Sequence, residues 1–478
     1  MTALGRLLPP SVSADAAAGR RWAAAFQSRF FLALLLGLAW IGPAWRNRRV
    51  LYALPVWDAV VVLAWLVDLQ RLPKPKELTI CRRWCEPLSL DLDSRVELRI
   101  ANQGGRAVEV TLEDDVPIAL CPTLPRFTLT VPPRGSATAV YSVHPSQRGD
   151  IPVGQTFLRY HGAVRFAERW AVADVRQAVR VYPDLREAQR YTLYLVRSRQ
   201  IEQEKRLKRL AGRGREFESL REFRPSDEIR DICWTATARR GKLISKVYQV
   251  ERSQSVILVV DAGRLMLART RIQDPGSRIQ EHSSSHLPNS PLTKLDYAVN
   301  AALSLAHVAE HSGDSTGLLA YGRKLQSYLP CAHGPQHLRL LLEQLASVSG
   351  EALEADHALA ADSLFARQRR RSLVVWLTDL AETAAAPDVI EAASRLLPRH
   401  LVLFAVVGEP QLRALATHRP ESPAQMYQYV AAQQVIQRRD LLLRRMREQG
   451  ALAMEFLPGQ LSSEVVNRYL QIKEKGML

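Results

Sequence analysis

Two long apolar runs lie close together near the N-terminus of the chain. The first is Phe30–Trp45 (FFLALLLGLAWIGPAW) and the second is Val50–Leu69 (VLYALPVWDAVVVLAWLVDL). A helix needs about 20 apolar residues to cross a membrane, and tryptophan and tyrosine are enriched where such helices meet the headgroups. The pattern predicts a transmembrane helical hairpin over residues 30–70. A hairpin buried in a soluble domain is the alternative, and a signal peptide is disfavoured because no small-residue cleavage site separates the runs.

Basic residues around this hairpin predict its orientation. Three arginines lie in the turn between the runs, and nine basic residues lie outside its two ends. Basic residues are retained on the cytoplasmic side, so both ends of the hairpin are expected there. Residues 1–29 then form an N-terminal basic segment, and the rest of the chain is a cytoplasmic body anchored in the inner (cytoplasmic) membrane by two helices. The nine residues are Arg6, Arg20, Arg21, Arg29, Arg71, Lys74, Lys76, Arg82 and Arg83.

Between residues 78 and 183 the chain alternates apolar and polar positions in short segments. Turn-forming groups such as Asn102–Gly105 and Pro132–Gly135 separate these segments. Alternation of this kind is typical of strands with one buried face, and regularly spaced strands favour an antiparallel β-sandwich. The sequence therefore predicts a β-sandwich domain over 78–183. Its clearest strands are Arg95–Ala101, Ala107–Leu112, Arg126–Val131 and Ala137–Val143.

From residue 255 to 478, continuous apolar runs alternate with amphipathic helical stretches. This alternation predicts a doubly wound α/β domain, in which functional residues lie beyond the carboxyl ends of the strands. Asp261 and Asp379 each follow such a strand, and the polar stretch Arg269–Pro291 is expected to be a loop at the same edge. The predicted strands are Val256–Asp261, Thr316–Tyr321, Leu373–Thr378, Leu401–Val407 and Ala451–Leu457. The predicted helices are Lys294–His311, His337–Val348, Asp388–Leu397, Ala424–Gln449 and Leu461–Lys475.

Composition and charge narrow the class of protein. The 478 residues are 47% hydrophobic and 24% charged, a globular balance that excludes wholesale disorder. The net charge of +17 suggests an acidic partner surface, which could be nucleic acid, anionic lipid or an acidic protein. A lipid bilayer explains the charge best, since each basic residue near anionic lipid contributes about 1 kcal/mol. Nucleic acid is not expected as a partner because no nucleic-acid-binding motif is present. Five cysteines, an odd number, favour a reducing compartment.

The segment 184–254 joins the two predicted domains and is expected to be a helical linker. Its later part, Gly212–Arg239, places the aromatic side chains of Phe217, Phe223 and Trp234 among arginines and carboxylates. Such a segment is too short to bury a core of its own, so it is expected to dock on a neighbouring domain with Trp234 buried. Arginines in it are expected to pair with carboxylates. The candidate binding residues are Glu216, Phe217, Leu220, Arg221, Asp227, Arg230, Trp234 and Arg239.

This segment resembles the signature of the bacterial family known as domain of unknown function 58, GxGxEFxxLRxYxxGDxxRxIDWxxxAR. Phe223, Ser226 and Cys233 replace the family's Tyr, Gly and Asp. The resemblance extends over the order of the parts: a membrane hairpin, a sandwich ending at Val181–Pro183, the signature, and then an α/β domain. The matching residues are Gly212, Gly214, Glu216, Phe217, Leu220, Arg221, Asp227, Arg230, Ile232, Trp234, Ala238 and Arg239.

The resemblance implies that the α/β domain is von Willebrand factor A-like and that the protein works with a MoxR-type AAA+ ATPase. It also implies a Mg²⁺ site built from an Asp-x-Ser-x-Ser loop, a Thr and a second Asp. Only Asp261 and Asp379 match that site, because Gly263 and Leu265 replace the serines and His333–Gln336 replaces the threonine loop. We therefore expect no cofactor and at most weak Mg²⁺ binding. If no Mg²⁺ binds, Asp261 and Asp379 are expected to cap the helices that follow them or to pair with Arg264.

These observations favour a membrane-anchored, non-catalytic adaptor that binds other proteins and assists their assembly or maturation. The chain contains no GxSxG, HExxH or Walker motif. One alternative is a metal-dependent hydrolase using Asp261 and Asp379, and the other is a basic nucleic-acid-binding protein. The sequence does not identify the client protein.

Overall fold

The chain is divided into two units, Met1–Tyr182 and Pro183–Leu478. The computed structural model describes residues 8–18, 24–41, 45, 52–184, 216–223, 232–249, 254–270, 292–380 and 386–477. The first unit contains the predicted hairpin and sandwich regions, and the second contains the signature segment and the α/β region.

The first unit is built on a nine-stranded antiparallel sheet. Its central path runs β6-β5-β9-β10-β1-β3-β4-β7, and β2 pairs with β10. Buried and exposed residues alternate along the strands, as in Ser94–Asn102, because one face of each strand packs into the core. The strands are β1 (Val12–Ala18), β2 (Ala24–Phe26), β3 (Leu78–Trp84), β4 (Ser94–Asn102), β5 (Val108–Asp114), β6 (Arg126–Val131), β7 (Ser136–Val143), β9 (Thr156–His161) and β10 (Ala167–Ala173), while β8 (Gly149–Val153) and β11 (Gln177–Val181) form a separate antiparallel pair.

A buried polar cluster joins strands from the two halves of this sheet. Arg82 in β3 and Asp114 in β5 form a fully buried ion pair, and Arg82 also donates to the carbonyl of Val175 at 2.9 Å. The Tyr141 hydroxyl in β7 and the Thr156 hydroxyl in β9 donate to Asp114 at 2.6 and 2.7 Å. Strands far apart in the sheet order thus meet face to face, as the sandwich prediction requires.

The N-terminal residues belong to this sheet, which corrects the interpretation of 1–29 as a basic segment outside the sandwich. In β1, Val12–Asp15 pairs with β3 and Ala16–Ala18 pairs with β10. The hydrophobic alternation in β1 is weak because alanine occupies the inward-facing positions Ala14 and Ala16, so the pattern does not predict a strand there. The sandwich therefore begins before the apolar runs, and those runs are an excursion between β2 and β3.

Two helices form this excursion. Helix α1 (Ser28–Gly37) continues as a 3₁₀ turn (Leu38–Trp40), and α2 (Ala53–Arg71) packs against it. The Trp57 indole of α2 donates to the Ala33 carbonyl of α1 at 2.9 Å, and a Cβ at Gly37 would lie 2.6 Å from the Trp57 ring. Among the described residues, one helix, within Ala53–Glu77, is long and apolar enough to cross a membrane by length and composition.

The second unit contains a six-stranded sheet in the order β18-β17-β14-β19-β20-β21. The pairs are parallel except for β18, which runs antiparallel at one edge. This order is that of doubly wound sheets, and an antiparallel edge strand is common in them. The strands are β14 (Ser255–Asp261), β17 (Ser315–Tyr321), β18 (Leu325–Ala332), β19 (Leu373–Thr378), β20 (Leu401–Val407) and β21 (Leu452–Phe456).

Helices cover this sheet, and its central strands are fully buried because both faces are packed. Trp376 and Phe404 stack at 5.2 Å in the core. The sequence patterns did not predict the helices α6 (His357–Arg367) and α8 (Pro410–Thr417) or the edge strand β18. The helices are α4 (Lys294–His311), α5 (Pro335–Ser347), α6 (His357–Arg367), α7 (Ala386–Leu396), α8 (Pro410–Thr417), α9 (Pro423–Glu448) and α10 (Leu461–Glu474).

The segment 184–254 was predicted to be a helical linker, but its described residues contain two strands as well as a short helix. Strands β12 (Glu216–Glu222) and β13 (Ile244–Gln249) form an antiparallel pair, and a short helix α3 (Trp234–Arg240) lies between them. A further short pair, β15 (Arg269–Thr270) and β16 (Leu292–Thr293), closes the base of the predicted loop. Residues 185–215 and 271–291 lie outside the described residues.

Candidate functional site

Charged side chains converge at the carboxyl edge of the six-stranded sheet. Asp261 ends β14, Asp379 follows β19, Glu409 follows β20 and Glu455 lies in β21. In doubly wound sheets this edge is where ligands bind. Sequence reasoning predicted the two aspartates here and missed the other members of the cluster.

Asp379 is the centre of the cluster and is 2% exposed. Its Oδ2 accepts a hydrogen bond from the Lys294 ammonium at 2.8 Å, and its Oδ1 accepts one from the Arg439 guanidinium at 2.9 Å. Lys294 is the first residue of α4, and Arg439 lies in the middle of α9. Two buried cations therefore hold one buried carboxylate.

The ion pairs extend outward from these cations. Lys294 also contacts Glu409 Oε2 at 2.6 Å, and Arg439 contacts Glu455 Oε1 at 2.7 Å. Arg413 completes the chain by pairing with Glu455 Oε2 at 2.8 Å. Although burial raises it, the pKa of Glu455 is held below its ordinary value by the hydrogen bonds and charges of Arg413 and Arg439.

Asp261 is held by different donors. Its Oδ1 accepts from the backbone N–H of Gly263 at 2.7 Å, and its Oδ2 accepts from the Thr378 hydroxyl at 2.6 Å. Burial raises the pKa of Asp261 above its ordinary value, and the charge of Asp379 acts in the same direction. Arg264 pairs with the exposed Glu354 at 3.4 Å, so the expectation that it would pair with an aspartate is wrong.

These residues do not fit a Mg²⁺ ion. Magnesium needs near-octahedral coordination by oxygens at about 2.0–2.1 Å. Each oxygen of Asp261 and Asp379 already accepts from a protein donor, and the Lys294 ammonium lies where a cation would contact Asp379. Over the described part of the chain, no three His, Cys, Asp or Glu side chains form a set that could hold a metal.

A hydrogen-bonded aromatic chain lies beneath Asp261. The Trp376 indole donates to the Tyr321 hydroxyl at 2.7 Å, and that hydroxyl lies 2.7 Å from His357 Nδ1. Burial raises the pKa of Tyr321 well above its ordinary value, so its hydroxyl keeps its proton. A cavity of about 20 Å³ lies between His357, Asp261 and the following loop, enough for about one water molecule.

The described signature residues lie in elements that precede the six-stranded sheet in the chain. Glu216, Phe217, Leu220 and Arg221 lie in β12, Trp234 and Arg239 lie in α3, and Asp227 and Arg230 lie outside the described residues. The expectation that Trp234 is buried is wrong, because its side chain is 65% exposed. Leu220 is 40% exposed. Arg221 donates to the carbonyl of Glu222 at 3.4 Å.

Two signals in the sequence could have revealed the missed residues. A lysine at the first position of a helix opposes the helix dipole, which favours anions there, so Lys294 indicates a carboxylate partner. Glu409 lies two residues beyond Val407, the last residue of β20, and the carboxyl-edge rule that selected Asp379 applies to it equally. Arg439 and Glu455 carry no comparable local signal.

Comparison with known proteins supports the resemblance over part of the chain. The family model described as "Protein of unknown function DUF58" matches residues 219–418, so this region of the chain is similar to that family. The match includes the signature from Ser219 onward and most of the six-stranded sheet. It covers β14, β17, β18, β19 and β20.

Curated relatives are uncharacterized mycobacterial proteins. The chain is 26% identical over 204 residues to uncharacterized protein Rv1480 of Mycobacterium tuberculosis and to Mb1516 of Mycobacterium bovis. The aligned region is 42% of this chain and spans 57% of the length of those relatives.

Among solved structures, the chain is similar to the conserved hypothetical protein BatB from Bacteroides thetaiotaomicron, with 14% identity and a TM-score of 0.29 over 47% of this chain and 100% of that chain. It is also similar to an aerotolerance-related membrane protein from Bacteroides fragilis, with 13% identity and a TM-score of 0.29 over 46% of this chain and 100% of that chain. Values this low do not establish a shared fold or function.

Proposed function

We propose that the protein is a membrane-anchored, non-catalytic adaptor. Its α/β unit is a von Willebrand factor A-like module that binds a partner at the carboxyl edge of the sheet. The partner is a MoxR-type AAA+ ATPase, as the family resemblance implies, and the adaptor serves the assembly or maturation of a client protein. The observation that carries the anchor is the exposed apolar surface of α1 and α2.

The apolar side chains on α1 and α2 face outward from the first unit. Large apolar residues on both helices are each more than half exposed, and exposed patches of this kind mark contact with a membrane or a partner. The length and composition of α2 favour a membrane. These residues are Phe31, Leu32, Leu35, Leu36, Val56, Val60 and Leu63.

The path of the chain supports a hairpin. Strands β1 and β2 precede the apolar excursion, β3 follows it, and all three belong to one sheet. A folded sheet cannot be divided by a bilayer, so the chain must return to the side from which it left. If α2 crosses the membrane, a second crossing must therefore lie between β2 and α2. The basic flanks favour the cytoplasmic side for the sheet.

The ends of the excursion are fixed to the sheet. Asp68 in the last turn of α2 accepts from the backbone N–H groups of Phe166 and Ala167 at 3.0 and 2.9 Å. The Trp65 indole donates to the carbonyl of Ala25 in β2 at 3.4 Å. The anchor is therefore joined to the sandwich by defined contacts at the end of α2.

The charge arrangement of the carboxyl edge supports binding over catalysis. Asp261 and Asp379 are both held by protein donors, and a hydrolytic metal would need their oxygens. A general base must also reach its substrate, whereas both aspartates are buried.

The anchor is tested by excising residues 28–71 and joining β2 to β3 with a short Gly/Ser linker. Deleting residues 1–70 would be the wrong design, because it also removes β1 from the sheet. The excised protein should be folded and soluble, while the full chain should stay in the membrane fraction after washes in high salt and carbonate. An excised protein that is folded but still sediments with lipid would refute the anchor.

Orientation is tested in the full-length chain with reporters fused to its C-terminus. A reporter that is active only in the cytoplasm should be active, and a reporter that is active only outside the membrane should be silent. The opposite pattern would place both units on the other side and would remove contact with a cytoplasmic ATPase.

A further inference from the structure

Lys294 occupies an unusual position for a lysine. Its side chain is 4% exposed, and it opens a helix, where the dipole disfavours a cation. The capping box formed by Thr293 and Asp296 fixes this first turn, with Asp296 Oδ2 accepting from the Thr293 N–H at 2.9 Å. Lysine is seldom buried unless it is paired. The local sequence thus positions an ammonium group at the carboxyl edge of the sheet.

The ammonium is placed between carboxylates as a bound cation would be. Its Nζ lies 2.8 Å from Asp379 Oδ2 and 2.6 Å from Glu409 Oε2. On the other side of Asp379, the Arg439 guanidinium lies 2.9 Å from Oδ1. Together Lys294 and Arg439 bring two positive charges to Asp379, which equals the charge of one divalent metal ion.

The charges of the ion-paired residues in the cluster are balanced without any ion from solution. The described ion pairs join three carboxylates, Asp379, Glu409 and Glu455, to three cations, Lys294, Arg439 and Arg413. A divalent cation entering this cluster would add two charges and would have to displace Lys294 from Asp379. Burying that excess charge is strongly unfavourable.

We propose that the Lys294 ammonium replaces a divalent metal at the carboxyl edge of this sheet. The edge is then assembled permanently, and neither its conformation nor its binding of a partner responds to Mg²⁺, Ca²⁺ or Mn²⁺. This inference goes beyond the adaptor proposal, because it concerns how the edge is built and would hold whichever molecule binds there.

The test compares the full-length protein in detergent with the variant Lys294→Ser, which removes the cation and supplies an oxygen and space. Calorimetric titration with Mg²⁺ and Mn²⁺ should give no saturable heat for the wild type up to about 1 mM metal, which covers the range of weak oxygen sites. Lys294→Ser should gain saturable binding at about 1 mM, because Asp379 and Glu409 then lack a cation.

Thermal denaturation gives a second readout. Lys294→Met should lower the Tm by about 10 °C, because two carboxylates lose a buried partner, and divalent metal should recover part of this loss. Lys294→Met/Asp379→Asn should melt higher than Lys294→Met and should not respond to metal. Lys242→Met is the matched control, since Lys242 and its partner Glu222 are each 72% exposed and the pair contributes little.

Each outcome decides the inference. Saturable metal binding by the wild type that Asp379→Asn abolishes would overturn it. It would also be overturned if Lys294→Ser and Lys294→Met both remained as stable as the wild type and gained no response to metal. If Lys294→Met does not fold, the titrations of the wild type and Lys294→Ser still decide.

Discussion

Asp68 connects helix α2 to the sandwich, and removing its carboxylate should weaken the first unit. In Asp68→Ala, the N–H groups of Phe166 and Ala167 lose their acceptor. The Asp68 side chain is 5% exposed, so water replaces it poorly. Each unsatisfied buried donor costs about 1–3 kcal/mol, so the loss of both hydrogen bonds should lower the free energy of unfolding by about 2–6 kcal/mol.

In a unit that ends at Tyr182, a loss of this size corresponds to a fall in Tm of about 5–15 °C. Hydrogen exchange followed by mass spectrometry localises the effect, and peptides covering residues 164–170 should exchange faster in Asp68→Ala. Asp68→Asn keeps one acceptor oxygen and should lie between the wild type and Asp68→Ala. Asp174→Ala is the control, because Asp174 forms an exposed pair with Arg176. Wild-type melting and exchange in Asp68→Ala would refute the assigned contact.

Three further predictions concern other parts of the molecule. Arg82→Met should lower the free energy of unfolding by about 3–5 kcal/mol in a denaturant titration, because Asp114 keeps a buried charge, and Arg82→Met/Asp114→Asn should recover part of it. Burial, aided by the charge of Arg399, lowers the pKa of His400. The folded protein is therefore fully stable above the ordinary histidine pKa near 6.5, where His400 is neutral in both states, and it loses stability as the pH falls below that value. His400→Leu should reduce the fall in Tm between about pH 7.5 and 5.5. Trp234→Ala should change the free energy of unfolding by less than about 0.5 kcal/mol, since the side chain is exposed, yet should weaken capture of the ATPase.

The secondary structure of the α/β unit could be predicted closely from local patterns. Leu373–Thr378, Leu401–Val407 and Lys294–His311 have the expected bounds. Strands buried on both faces are continuous apolar runs, and a helix that opens with a capping box has a clear start. Strand β1 was missed because alanines at its buried positions give little contrast with its polar residues. The edge strand β18 was missed because it is only partly buried.

The candidate site could be predicted only in part. Asp261 and Asp379 follow from the rule that doubly wound sheets bind ligands at their carboxyl edge. The partners of Asp379 lie 85 and 60 positions away in the chain, at Lys294 and Arg439. Only the packing of α4 and α9 against the sheet brings them together, and no local pattern contains that information. Trp234 was placed wrongly for a related reason: an aromatic residue among charges suits a binding surface as well as a buried anchor.

The proposal that the carboxyl edge binds the partner is tested most directly by site-specific photo-crosslinking of the full-length protein in its native membrane. A photoreactive residue replaces Leu353, whose carbonyl accepts from Arg264 beside Asp261 and whose side chain is 60% exposed. The control replaces Phe365, which is 44% exposed near the opposite end of α6, under Arg399. The adaptor account predicts that a MoxR-type ATPase is crosslinked from position 353 and not from 365. Equal crosslinking from both positions, or none of the ATPase from 353, would contradict it.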